Sequence, residues 1–185
     1  MPTTIFHTAV TLNGFLADVH DSLDWLFAVP GADEAENDFG AFLSTVGSFV
    51  MGAATYEWVM RFEEGERPGM WAEAYGSLPC FVVTHRALPT PEGGDIRFVQ
   101  GDVASFWPDV AAAAGDGVVW LVGGGDLVGQ FDDAGHLDEI RVSVAPALLP
   151  SGKPLLPRRI GPDRLHLESV RQAGQFAELA YRVTR

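Results

Sequence analysis

Four short apolar runs constrain this chain more than any other feature. They are Ile5 to Leu12, Ser48 to Gly52, Pro79 to Thr84 and Gly117 to Val122. Each is rich in β-branched or aromatic residues and too short for a buried helix, so each reads as a buried strand. Helical spacing lies between them. Phe39, Phe42, Leu43 and Val46 fall at i, i+3, i+4 and i+7 within a helix predicted from Ala32 to Val46. Further helices are predicted from near Tyr56 (capped by Thr55), over Val103 to Ala114, and from Asp126 to about Ala134. Ile96 to Val99 and Ile140 to Ala145 add strands, and Glu63 to Gly69 reads as loop. The tail from Leu165 to Val183 reads as two antiparallel strands around Ala173-Gly174. This order predicts an α/β fold, with helices on the faces of a mixed, mostly parallel sheet and antiparallel strands at its C-terminal end.

The bulk properties fit one domain of that kind. The chain has 185 residues, 47% of them hydrophobic, enough for a sizeable core and against disorder. No internal repeat, low-complexity segment or linker divides it. Twelve Lys and Arg against 25 Asp and Glu give a net charge of −13. That balance argues against nucleic acid or an anionic membrane as partner and leaves small-molecule chemistry. One cysteine, Cys80, excludes an intrachain disulfide or a multi-thiolate metal site, and the five histidines show no metal-ligand spacing. With no basic leader after Met1, the expected setting is cytoplasmic.

Chemistry concentrates at Gly123-Gly124-Gly125, where an apolar strand meets a helix. In open α/β sheets ligands bind beyond the C-terminal strand ends, where helix N-termini present unpaired N–H groups. Glycines there let backbone approach a phosphate closely, and Asp126 fits as the helix cap. A tight structural turn accounts for the same residues. The spacing of Gly123, Gly125 and Gly129 is not the Rossmann fingerprint, and no Walker lysine follows.

Around this corner a family resemblance emerges. "LVGGGDLVGQFDDAGHLDEIRVSVAPALLPSGKPLL" resembles the C-terminal reductase domain of bacterial riboflavin-biosynthesis deaminase-reductases, in the dihydrofolate-reductase-like group. "TLNGFLAD", "VMGAATYEWV" and "FVVTHRAL" resemble that family's other blocks, in family order, from about Thr3 to Leu156. The resemblance implies a three-layer αβα fold and hydride transfer from NADPH. It assigns the pyrophosphate to Gly123, Gly124, Gly125, Asp126 and Leu127. Gly52 and Thr55 match a second cofactor loop. Thr84 and Arg86 match the adenosine end, and Ala9 and Leu16 match positions flanking the nicotinamide. The named activity is reduction of a phosphoribosylamino-pyrimidine, and a homodimer is expected. Reduction of dihydrofolate or another pterin, and a dinucleotide-binding module without turnover, are the alternatives. The zinc signature of the deaminase half cannot be built with one cysteine, so a standalone reductase-like domain is expected.

Three departures bear on this. Asn13 replaces the family's Asp, Ala53 its Arg, and Pro150 its frequent Gly. Loss of a guanidinium at position 53 removes a bidentate phosphate partner and leaves NADH as an alternative cofactor. Arg86 and Arg61 are the cations available to compensate. Reduction also needs a proton. Asp38, at the edge of the apolar helix stripe, is the first candidate and Asp18 the second; a solvated helix acid and a loop residue are their plainer roles. Glu57 reads equally as a first-turn helix acid, His85 as an exposed loop histidine, and Asp138-Glu139 as structural. Trp25 and Trp71 are candidates to stack on a planar substrate. Lys153, Arg158 and Arg159 form the nearest basic grouping, or a surface turn.

Overall fold

The computed structural model describes residues 1–31 and 39–185. Eight strands form one sheet. In spatial order they are β5 (Ile96–Val99), β4 (Cys80–Val83), β3 (Val46–Gly52), β6 (Val118–Gly123), β1 (Thr4–Thr11), β7 (Glu139–Ala145), β10 (Phe176–Val183) and β9 (Leu165–Ala173). The first six run parallel, and β10 and β9 are antiparallel, as the sequence predicts. Helices α1 (Asp24–Phe27), α2 (Ala53–Gly65), α3 (Met70–Ala74), α4 (Val103–Ala114) and α5 (Gly125–Asp133) join them, and residues 39–43 are also helical. A second sheet pairs β2 (Phe15–Ala17) with β8 (Lys153–Pro154).

The apolar runs alternate between two cores, because successive strand side chains point to opposite faces. Ile5, Phe49, Met51, Cys80, Val82 and Trp120 pack with Phe42, Tyr56 and Val59 on the α2 side. Phe6, Val50, Phe81, Val119 and Leu121 pack with Phe106, Val110, Val128 and Phe131 on the α4–α5 side. A strand buried on both faces has no polar side, which is why these runs read as continuously apolar.

Local departures from the sequence reading have simple causes. Val46 belongs to β3 rather than to the helix before it. Helix α2 begins at Ala53 with Gly52 as its cap, so Thr55 lies in its first turn and caps nothing. It runs to Gly65, into the predicted loop. Helix α3 is unforeseen: the Glu63 carboxylate accepts from the N–H groups of Gly69 (2.8 Å) and Trp71 (2.6 Å) and so pins its start. Asp126 is not a cap either, since Gly124 occupies that position. Asp102 does cap α4, accepting from the Ser105 N–H at 3.0 Å.

Candidate active site

The parallel strands bring their C-terminal ends to one rim. In the order β4, β3, β6, β1, the register sets Gly52 opposite Val83 and Gly123 opposite Met51, so Thr84, Gly52 and Gly123 end adjacent strands about 4.8 Å apart, while β1 runs further, to Thr11. Ala9 lies on β1 opposite Ser143 of β7, just below the rim. Leu16 reaches the same end through the small β2–β8 sheet and packs against the α4–α5 core. Thr84, Gly52, Gly123, Ala9 and Leu16 thus lie toward one end of the sheet, and Asp38 lies outside the described residues.

The three corner glycines have three different reasons. Gly123 has φ of +130°, a conformation that L side chains rarely adopt. Gly124 has an extended backbone, and a Cβ added there would meet nothing within 4 Å. Gly125 is packed: a Cβ there would overlap the Leu155 carbonyl oxygen and lie 2.7 Å from that of Pro154. Bare backbone facing open space at the start of α5 suits a pyrophosphate, while Gly125 holds the corner against the loop beneath it. Gly129, off the Rossmann spacing, makes room for Arg158, whose Cγ would sit 2.7 Å from an added Cβ.

That loop is tied to the first turn of the chain. The Asn13 side chain donates to the Leu149 carbonyl at 2.6 Å and accepts from the Leu149 N–H at 3.2 Å and the Thr11 hydroxyl at 2.9 Å. An aspartate here would lack the donor. Leu155 N–H bonds the Gly14 carbonyl at 2.9 Å, so the loop after Asn13 and the loop before Leu156 form one wall beside Gly125. Pairing across so long a sequence separation leaves no local signal, and the sequence reading missed this wall.

The charges at the rim are mostly paired. Arg86 grips the Glu57 carboxylate with both terminal nitrogens, at 2.8 and 2.9 Å. That bond holds Glu57 below the usual carboxylate range. Arg158 bonds Asp126 at 3.0 Å and Asp133 at 2.9 Å, and Lys153 pairs with Asp21 at 3.3 Å. Asp126 also accepts from Gln130, and these bonds lower its pKa. The Asp18 carboxylate accepts from the N–H groups of Ser22 (2.9 Å) and His20 (2.7 Å). The Ser22 bond contributes most to a lowered pKa. His85 lies within 3.2 Å of Gln100 at the surface.

The two candidate stacking tryptophans separate. Trp71 is 1% exposed, among Phe49, Tyr56 and Tyr75, and is core. Trp25 packs near Val29, Ala145 and Phe176, at the rim end of β7; its indole N–H, like that of Trp71, is buried with no partner among the described residues. Deep on the α2 face, His7 packs edge-on against Phe42, and its Nδ1 has no partner among the described residues. Burial, with Arg141 nearby, brings its pKa down to about 4.

No family model matches the sequence. The chain is 28% identical over 178 residues to the uncharacterized protein YwjB of Bacillus subtilis (strain 168), covering 96% of each. A crystal structure from Shewanella sp. PV-4, of a protein provisionally assigned to riboflavin biosynthesis, matches with a TM-score of 0.78 and 25% identity. The match covers 99% of both chains. Dihydrofolate reductase from Enterococcus faecalis, solved with NADP(H), matches with a TM-score of 0.61 and 14% identity, covering 99% of this chain and 97% of that one. The dihydrofolate-reductase-like fold is thus present, and the likeness to the Shewanella riboflavin-biosynthesis protein extends over the whole chain.

Proposed function

We propose that the chain is an NADPH-dependent reductase of a planar heterocycle, resembling the phosphoribosylamino-uracil reductase of riboflavin biosynthesis. One observation carries the reading: the bare backbone of Gly123 and Gly124 faces open space at the rim where Gly52, Thr84 and Ala9 also converge. The residues fit a dinucleotide. Gly123, Gly124 and the first turn of α5 would hold its pyrophosphate, with Gly52 and Thr55 alongside. Thr84 and Arg86 would meet the adenosine end, and Ala9 and Leu16 would flank the nicotinamide. When bound, the cofactor supplies a hydride.

The chain's own task is to position the substrate, exclude water and deliver a proton. Two backbone N–H groups keep Asp18 ionised at neutral pH, so it holds no proton to give. Asp38 remains the first candidate donor on its place in the sequence alone. Trp25, amphipathic and at the rim end of β7, is the aromatic residue offered to a planar ring. A homodimer is part of the same reading. The edge strand β9 exposes Leu167 and Val170, which face the same side of the sheet as Tyr181 and Leu179 of β10.

The test is turnover of NADPH with the ribosylamino-pyrimidine, its dephosphorylated form and dihydropterins. The expected result is oxidation with at least one of them, lost in Asp38→Asn while NADPH still binds. Binding with no oxidation in any pairing would favour a non-catalytic dinucleotide module.

A further inference from the structure

The strand order sets a distance. A pyrophosphate at the β6 corner lies two strands from the end of β4, about 10 Å across the rim. That is close to the reach from a dinucleotide's pyrophosphate to the 2′-position of its adenosine ribose. The group standing at the β4 end is not a free cation but an ion pair. Arg86 follows Thr84, whose hydroxyl accepts the Arg86 backbone N–H at 3.0 Å and fixes the turn. Its guanidinium is closed on Glu57, from the first turns of α2, through two hydrogen bonds. Ala53, at the start of the same helix, supplies no second cation; Arg61, one turn beyond Glu57 on α2, is near enough to help lower the Glu57 pKa after Arg86.

We propose that Glu57 sets the cofactor selectivity of this site by occupying Arg86 and opposing a 2′-phosphate, so that NADH is accepted nearly as well as NADPH. The inference rests on the reductase reading above. Both side chains are partly exposed, 57% for Arg86 and 34% for Glu57. A surface pair of this kind is weak enough to open. A 2′-phosphate arriving here must take the guanidinium from the Glu57 carboxylate, which remains beside it on α2. Hydrogen bonds from Arg86 keep that carboxylate ionised. At about 6 Å, screened by physiological salt, one carboxylate weakens a phosphate dianion roughly threefold to tenfold. A ribose 2′-hydroxyl suffers no such repulsion and can donate to the same carboxylate.

The experiment is equilibrium titration of the whole protein with NADPH and NADH, at low and physiological salt. Wild type is expected to bind both within about tenfold. Glu57→Gln is expected to tighten NADPH about three- to tenfold, more at low salt, and to change NADH less than twofold. Arg86→Gln should weaken NADPH alone, and Glu57→Asp should keep the wild-type ratio. Should Glu57→Gln misfold, Glu57→Lys tests the same charge and should favour NADPH further. Binding of both dinucleotides with a ratio that removing the Glu57 charge leaves unchanged, at either salt, would overturn the assignment of Glu57 alone. Binding of neither by wild type would overturn the reductase reading itself.

Discussion

Neighbouring glycines at the corner should respond to the same mutation in opposite ways. Gly125→Ala places a methyl against the carbonyl oxygens of Leu155 and Pro154, backbone atoms that no rotamer change moves aside. Overpacking of this kind costs about 1–3 kcal/mol. For a chain this long that is a fall of roughly 3–10 °C in Tm. Gly124→Ala meets nothing within 4 Å and has a φ of −69°, which alanine accepts. Its stability should stay within about 0.5 kcal/mol of wild type or rise slightly through the unfolded state. The added methyl instead fills the space assigned to the pyrophosphate and should weaken NADPH at least tenfold, about 1.4 kcal/mol. Thermal unfolding by circular dichroism, paired with titration by tryptophan quenching, reads both effects. Equal destabilisation of the two variants, or wild-type affinity in Gly124→Ala, would refute the division of labour among the glycines.

Three further outcomes follow from named contacts. His7 has a folded pKa of about 4 against about 6.5 when unfolded, so the unfolded state takes up its proton first as pH falls. Its share of stability is complete above about pH 6.5 and is lost toward pH 4, about 3 kcal/mol in all. His7→Leu should flatten that part of a denaturation-versus-pH curve, and parallel curves would contradict it. Asn13→Asp removes the donor to the Leu149 carbonyl and should cost about 0.5–1.5 kcal/mol. Faster amide exchange confined to residues around Leu149 and Leu155 is the accompanying sign, and unchanged exchange would count against the shared wall. Leu167→Lys with Val170→Lys should shift a dimer to monomer by light scattering, and a monomeric wild type would remove β9 as an interface.

The central strands β1, β3, β4 and β6 were legible because they are buried on both faces. Val118 to Gly123 shows no alternation, and only the structure divides Trp120 from Leu121 between two cores. The C-terminal hairpin was legible from its turn at Ala173-Gly174. Strands β2 and β8 were not, at three and two residues, too short for any period to show. Trp71 and Trp25 look alike in sequence, since burial and rim exposure use the same aromatic residue, and only packing separates core from cleft wall. The corner was readable as a ligand site from its glycines, but the separate reasons for Gly124 and Gly125 depend on Leu155, thirty residues away. Likewise Arg86 reads as a free phosphate ligand until Glu57, on another element, is found closed upon it.

Calorimetric titration of the purified wild-type protein with NADPH and with NADH tests the central claim most directly. The account predicts saturable one-site binding of both, competitive with each other and weakened together by Gly124→Ala. Absence of binding by either would leave the open backbone at Gly123 and Gly124 without a dinucleotide and contradict the reductase reading at its base.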